Sequence, residues 1–160
     1  MAPRVALTAC LLGFALFGAA ATARADAGIG PHLGLNFDGA DPVFIGVNAR
    51  ADIARVGETV ELQIDPSLAY YFVESATVLH MAVSFPFEFK LQDSPLRPFA
   101  GGGLSLFYVH ENHNGDLRPR LNLIGGLAFA LEAIKPFFEL RIILGHGSGF
   151  ELLGGVLFNL

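Results

Sequence analysis

From Ile29 to the C-terminus, apolar residues recur at every second position, and that alternation leaves few folds open. Successive side chains of a strand point to opposite faces, so a period of two means strands. Val60, Leu62, Ile64, Leu68, Tyr70 and Phe72 share one face, with Glu61, Gln63, Asp65, Ser67 and Ala69 on the other. Leu79, Met81, Val83, Phe85, Phe87 and Phe89 oppose His80, Ala82, Ser84, Glu88 and Lys90 in the same way. The pattern repeats in six more segments, whose apolar faces run through Leu33 and Leu35, Val43 and Ile45, Leu104 and Leu106, Leu121 and Leu123, Leu140 and Ile142, and Leu152 and Phe158. The segment from Arg97 to His110 is the least regular, because Gly101-Gly102-Gly103 carries no side-chain signal.

Short turn-like breaks separate these segments: Asp38 to Pro42, Arg55 to Glu58, Val73 to Ser75, Gln92 to Pro95, Glu111 to Asp116, Leu131 to Lys135 and Gly145 to Gly149. Connections this short pair sequence neighbours as antiparallel hairpins. Eight such strands that close on themselves leave no sheet edge. The expected fold is therefore all-β, an eight-stranded antiparallel up-and-down barrel over residues 26–160, with no helix and no second domain in that range.

Alternation alone does not say which face is outside, since a soluble lipocalin-like barrel also alternates, with its apolar side inward. Charge decides. A charged side chain facing lipid at the bilayer midplane costs roughly 2–4 kcal/mol, and the apolar faces contain no Asp, Glu, Lys or Arg. The opposite faces mix Gly, Ala, Ser and Asn with charges of both signs. Arg50, Lys90, Arg118, Arg120 and Arg141 stand there against Asp52, Glu61, Asp65, Glu88, Glu139 and Glu151. Such a set suits the crowded lumen of a narrow membrane barrel, where charges must pair. The chain as a whole is only 16% charged, against about 25% in ordinary soluble proteins.

The first 25 residues read as a cleavable helical signal peptide. Arg4 supplies a positive start, Val5 to Ala21 is uncharged, and Ala23-Arg24-Ala25 gives the small-x-small pattern with Ala23 and Ala25 at the cleavage positions. The run falls short of the ~20 apolar residues of a spanning helix. Cys10 lies within it and is the only cysteine, so residues 26–160 contain no thiol. Those residues keep eight of the ten basic residues and all 15 acidic ones. An acidic chain without a basic patch argues against nucleic-acid binding.

Three motifs carry a family resemblance. Gly155-x-x-Phe158-x-Leu160 resembles the terminal assembly signal of outer-membrane barrels. It departs from that signal in ending on Leu160 rather than Phe, and in placing Leu153 where a polar residue is usual. Arg97-Pro98-Phe99-Ala100-Gly101-Gly102-Gly103 resembles the Pro-aromatic-x-Gly-x-Gly stretch of small outer-membrane barrels, and Pro136-Phe137-Phe138-Glu139-Leu140-Arg141 repeats the idea. Over residues 26–160 the chain resembles the small outer-membrane β-barrel superfamily, typified by the membrane domain of outer-membrane protein A and by outer-membrane proteins X and W. The resemblance implies export through the inner membrane to the outer membrane of a Gram-negative bacterium. It further implies contact with outer-membrane lipid and lipopolysaccharide, recognition by the barrel-assembly machinery and periplasmic chaperones, and a monomer. The superfamily hosts many unrelated functions.

Catalytic and metal-binding groups are sparse. His146-Gly147-Ser148 resembles the His-x-Ser of the lipid A 3-O-deacylase family, but Gly149 stands where that family has asparagine, and a Gly-rich turn with a polar tip explains the same residues. His110 and His113 form a lone His-x-x-His beside an Asn114-Gly115 turn, without further ligands at metal spacing. No catalytic, metal or cofactor site is assigned. An eight-stranded barrel is just wide enough for its own side chains, so the lumen charges read as a plug of paired groups. A narrow channel for small solutes and a lipid A-modifying hydrolase stand as alternatives to a structural or surface role.

Overall fold

The computed structural model describes residues 27–37, 43–73, 76–111, 114–145 and 148–160; the signal segment with Ala23 and Ala25, and the side chains of His113 and His146, lie outside them. The described residues form β1 (Ala27–Asn36), β2 (Val43–Val56), β3 (Val60–Phe72), β4 (Thr77–Phe89), β5 (Leu96–Glu111), β6 (Asn114–Phe129), β7 (Ile134–Leu144) and β8 (Gly149–Asn159), and no helix is found among them. Each strand is antiparallel to the next, and β8 pairs back onto β1 from Gly28↔Asn159 to Asn36↔Glu151. The Leu160 N–H donates to the Ala27 carbonyl at 2.9 Å and fastens the last residue to the first strand. The barrel is closed.

Two local features depart from simple alternation. The β2–β3 register runs Asp52↔Gln63 and then Ala54↔Leu62, leaving Ile53 as an extra residue. This is a β-bulge near one rim, where such insertions bend a strand. The segment Glu111 to Asp116, expected as a loop, is mostly strand: β5 and β6 stay paired through His110↔Gly115 and Glu111↔Asn114. Polar residues carry no penalty in a ladder that projects into water. These two 16-residue strands are longer than the 9–11 residues a membrane-spanning strand needs, and their hairpin projects past the neighbouring strands.

The outer wall is apolar and uncovered. Leu104 is 65% exposed and Leu123 is 50% exposed, both midway along their strands. Aromatic residues collect toward the strand ends. Tyr70 meets Phe72 edge-on at 5.5 Å and Phe37 meets Phe150 at 5.4 Å near one rim; Phe89, Phe129 and Phe158 lie near the other. An apolar band between aromatic girdles is how a strand barrel meets lipid.

Inside, bulky rings are set against glycines. Gly34 lies opposite Phe44, Gly46 opposite His32, Gly126 opposite Phe99 and Gly155 opposite Phe137. A Cβ on Gly126 would stand 2.1 Å from the Phe138 carbonyl oxygen and 2.6 Å from the Phe99 ring, and one on Gly155 2.6 Å from the Pro31 carbonyl oxygen and 2.7 Å from the Phe137 ring. The missing side chain lets each ring fold flat over its neighbouring strand, a cross-strand pairing that lets large rings fit a narrow lumen. Gly126→Ala should therefore cost about 1–3 kcal/mol by overpacking. Gly125→Ala, whose Cβ would point outward with its nearest atom 3.9 Å away, should stay within about 0.5 kcal/mol of the wild type. Urea unfolding from lipid vesicles measures both, and equal losses would contradict the packing described.

Candidate functional site in the lumen

Alternation sends one face of all eight strands inward, and the polar side chains on it meet in three tiers. At the end where the chain begins and finishes, Glu61 accepts from Arg55 at 2.6 Å and from Lys90 at 2.5 Å. Lys135 reaches Glu88 at 2.7 Å, and Gln63 donates to Asp52 at 2.7 Å. Water reaches this tier, because Arg55 and Lys90 remain partly exposed while the two glutamates are buried.

The middle tier is enclosed. Arg50 ion-pairs with Asp65 and reaches Glu139 at 3.4 Å; Arg141 donates to Glu139 at 2.7 and 3.1 Å and touches Ser67 at 3.5 Å. Asn48 adds a contact to Asp65 at 3.3 Å. The Arg50 guanidinium lies 4.4 Å from the Phe99 ring centre and 5.4 Å from that of Phe137, so its faces rest on π-systems where carboxylates do not reach. Pairing is the condition for keeping such charges buried.

The third tier is largely aromatic. His32, Phe44, Tyr71, His80 and Phe107 come from five consecutive strands, with successive ring centres 6.1, 4.9, 6.2 and 4.1 Å apart. Arg120 of β6 covers Phe107 at 4.8 Å. The Tyr71 hydroxyl donates to Glu151 of β8, reaching past β1 and β2. His80 Nε2 lies 2.9 Å from Ser105 Oγ, which accepts from Asn122 at 2.9 Å; Asn122 Oδ1 accepts from Ser84 at 3.1 Å.

Ser105, His80 and Glu151 stand in the order of a hydrolytic triad, with His80 Nδ1 3.7 Å from Glu151. Their chemistry as placed is structural: all three are at most 2% exposed, so no substrate carbonyl reaches Ser105. The His146–Ser148 pairing falls partly outside the described residues, and Ser148 donates to the Gly145 carbonyl at 3.3 Å within its own turn. His110 stacks on Tyr108 at 6.3 Å, on the outward face of β5.

Ten of the eleven charged residues expected in the lumen line one of these tiers. Arg118 is the correction: it pairs with Asp116 at 2.7 Å, both more than half exposed, because β6 has already left the enclosed part of the barrel there. Two cations that pair inside, Arg55 and Lys135, were assigned to turns by sequence, since each lies within a residue or two of a strand end. The rings Phe44, Tyr71, Phe99, Phe107 and Phe137 were hidden because each adjoins an outward apolar residue. The signal that reveals them is two apolar neighbours in a row, one of them facing a glycine or a second ring across the ladder.

No family profile matches the sequence, and no curated protein matches it in sequence. Solved structures do match. The N-terminal β-barrel domain of Pseudomonas aeruginosa OprF superposes with a TM-score of 0.63 at 16% identity, covering 86% of this chain and all of that one. The fold is that of the small eight-stranded outer-membrane barrels. Neisserial surface protein A gives a TM-score of 0.54 at 15% identity, and Ail, the attachment invasion locus protein of Yersinia pestis, 0.55 at 13%. Each covers 85% of this chain and 97% of its own.

Proposed function

We propose that this chain is an exported outer-membrane barrel with a structural or surface role, its lumen plugged by its own side chains. The observation that carries the reading is the segregation of charge. Every Lys and Arg of residues 26–160 lies on the lumen-facing side: Arg97 sits opposite buried Ala128, Arg118 opposite Phe107, and the other six pair or pack within the tiers above. Six of these cations, Arg50, Arg55, Lys90, Arg120, Lys135 and Arg141, face six acids, Asp52, Glu61, Asp65, Glu88, Glu139 and Glu151. A lumen of zero formal charge neither draws ions in nor leaves buried charge unmatched.

On this reading Met1 to Ala25 is removed on export, and Gly155, Phe158 and Leu160 serve as the signal read by the barrel-assembly machinery. Periplasmic chaperones carry the unfolded chain there. The folded monomer contacts outer-membrane lipid and lipopolysaccharide through its apolar wall, and needs no cofactor and no nucleic acid. Even strand number puts both termini on the periplasmic side, so the β5–β6 hairpin faces outward. A tag inserted at Asn114 should be reached by antibody on intact cells; labelling seen only after permeabilisation would reverse the orientation. One structure of Ail holds a heparin analogue, sucrose octasulfate. In the sequence, the segments that join or end the strands on that side contain Asp38, Asp41, Glu74, Glu111 and Asp116 against Arg118, a composition that repels a polysulfate.

Planar-bilayer recording tests the plug. The wild-type protein should give no sustained current steps. Discrete, reproducible steps would replace the plug with the narrow-channel reading, and altered lipid A masses in cells lacking the gene would point to the hydrolase instead.

A further inference from the structure

We propose that the seal of the lumen is the aromatic tier, with the ion-paired tier beneath it wetted from the periplasmic side. The inference rests on the plugged reading and says where the plug closes. The five-ring arc takes one side chain from each of β1 to β5, Arg120 extends it on β6, and the Tyr71–Glu151 bond carries it across to β8. Phe44, Tyr71, His80 and Phe107 are each no more than 6% exposed. A constriction packed with large rings leaves little room for a continuous file of water, and hydrophobic constrictions close pores by dewetting.

The charged tiers are built differently. The ion pairs of the middle tier come from β2, β3 and β7, while β4 and β5 face it with uncharged residues, Ser84, Pro86, Gly103, Gly101 and Phe99. Arg50 Nη1 and Gln63 Oε1, on the side of the open mouth, and His32 Nδ1 and Glu151 Oε2, in the aromatic tier, are buried and have no hydrogen-bond partner among the described residues. Buried donors and acceptors are completed by ordered water when protein does not supply the partner. Arg55, Lys90 and Lys135 line the mouth through which that water enters, and all three keep contact with solvent. Ion pairs hydrated in this way hold position without being the barrier.

The test compares three full-length variants with the wild type in planar bilayers, each first shown to be folded by its heat-dependent gel mobility. Tyr71→Phe deletes the bond across the lumen and leaves the ring, and should raise open probability roughly tenfold or more, as loss of a hydrogen bond to a charged group implies. Phe44→Ala/Phe107→Ala should open a larger, longer-lived path. Glu139→Gln, which breaks the centre of the ion-paired tier, should leave current at the wild-type level. A silent wild type with silent aromatic variants, or with Glu139→Gln opening as readily as they do, overturns the seal while leaving the plug in place. If the double variant does not fold, Tyr71→Phe against Glu139→Gln decides alone. A wild type that already conducts as the aromatic variants do overturns the plugged reading itself and the seal with it.

Discussion

Leu123→Arg should strip most of the protein from the outer membrane. Leu123 lies midway along β6 on the outer wall, half exposed and covered by no protein. A cation there meets hydrocarbon at a cost of about 2–4 kcal/mol, a large fraction of the ~5–15 kcal/mol that holds a domain folded. Leu123→Phe keeps the position apolar and should insert normally. The neighbouring Asn122 should show the opposite preference. Its side chain is 1% exposed and links Ser84 to Ser105, so Asn122→Leu strands the buried Ser84 hydroxyl and removes a donor to Ser105, at about 1–3 kcal/mol. Apolar substitution tolerated at 123 and damaging at 122 is the signature of lipid outside and polar lumen inside. The measured quantity is the share of each variant found as heat-modifiable protein in outer-membrane fractions. Equal damage from Leu123→Arg and Leu123→Phe would contradict the assignment.

Removing Phe158 to Leu160 should be at least as severe. Phe158 pairs with Ile29 on one side and Ile134 on the other, and Asn159 pairs with Gly28. The Asn159 amide also donates to the carbonyls of Leu131 and Glu132 at 3.3 and 3.1 Å, tying the β6–β7 turn to the closing strand. Loss of three residues thus unzips one end of the β8–β1 seam, and unpaired backbone does not persist in hydrocarbon. The truncated chain should be degraded or held in the periplasm. A water-soluble barrel would fray at that end and survive. Leu160→Phe, which supplies the aromatic residue usual at the last position, should assemble at least as well as the wild type. A truncated protein that inserts as well as the full chain would remove the role given to the C-terminus.

The fold was legible because two signals agree along the whole segment. Period-two alternation fixed the strands and their faces, and the absence of charge from one face identified the lipid side. All eight strands lie where the alternation places them, and the errors sit at rims. Glu111, Asn114 and Asp116 are polar residues that continue a ladder into water, where polarity no longer distinguishes strand from turn. The lumen was half legible. Charged inward residues stand out from sequence, so Arg50, Asp65, Glu139 and Arg141 were found without their partners being known. Pairings such as Arg50 with Glu139, 89 residues apart, depend on strand tilt and rotamer, which alternation does not encode. The inward rings were hidden, since Phe44 beside Ile45 and Tyr71 beside Tyr70 look like one apolar run. Their glycine and ring partners appear only once the register is known.

The central claim is that hydrocarbon, not water, covers the outer wall, and membrane fractionation with a heat-modifiability gel measures it directly. Full-length protein should sediment with outer membranes, resist extraction by salt, dissolve only in detergent, and migrate differently before and after boiling. Recovery of the same protein as a soluble periplasmic monomer, without detergent and with its sheet intact, would contradict the account.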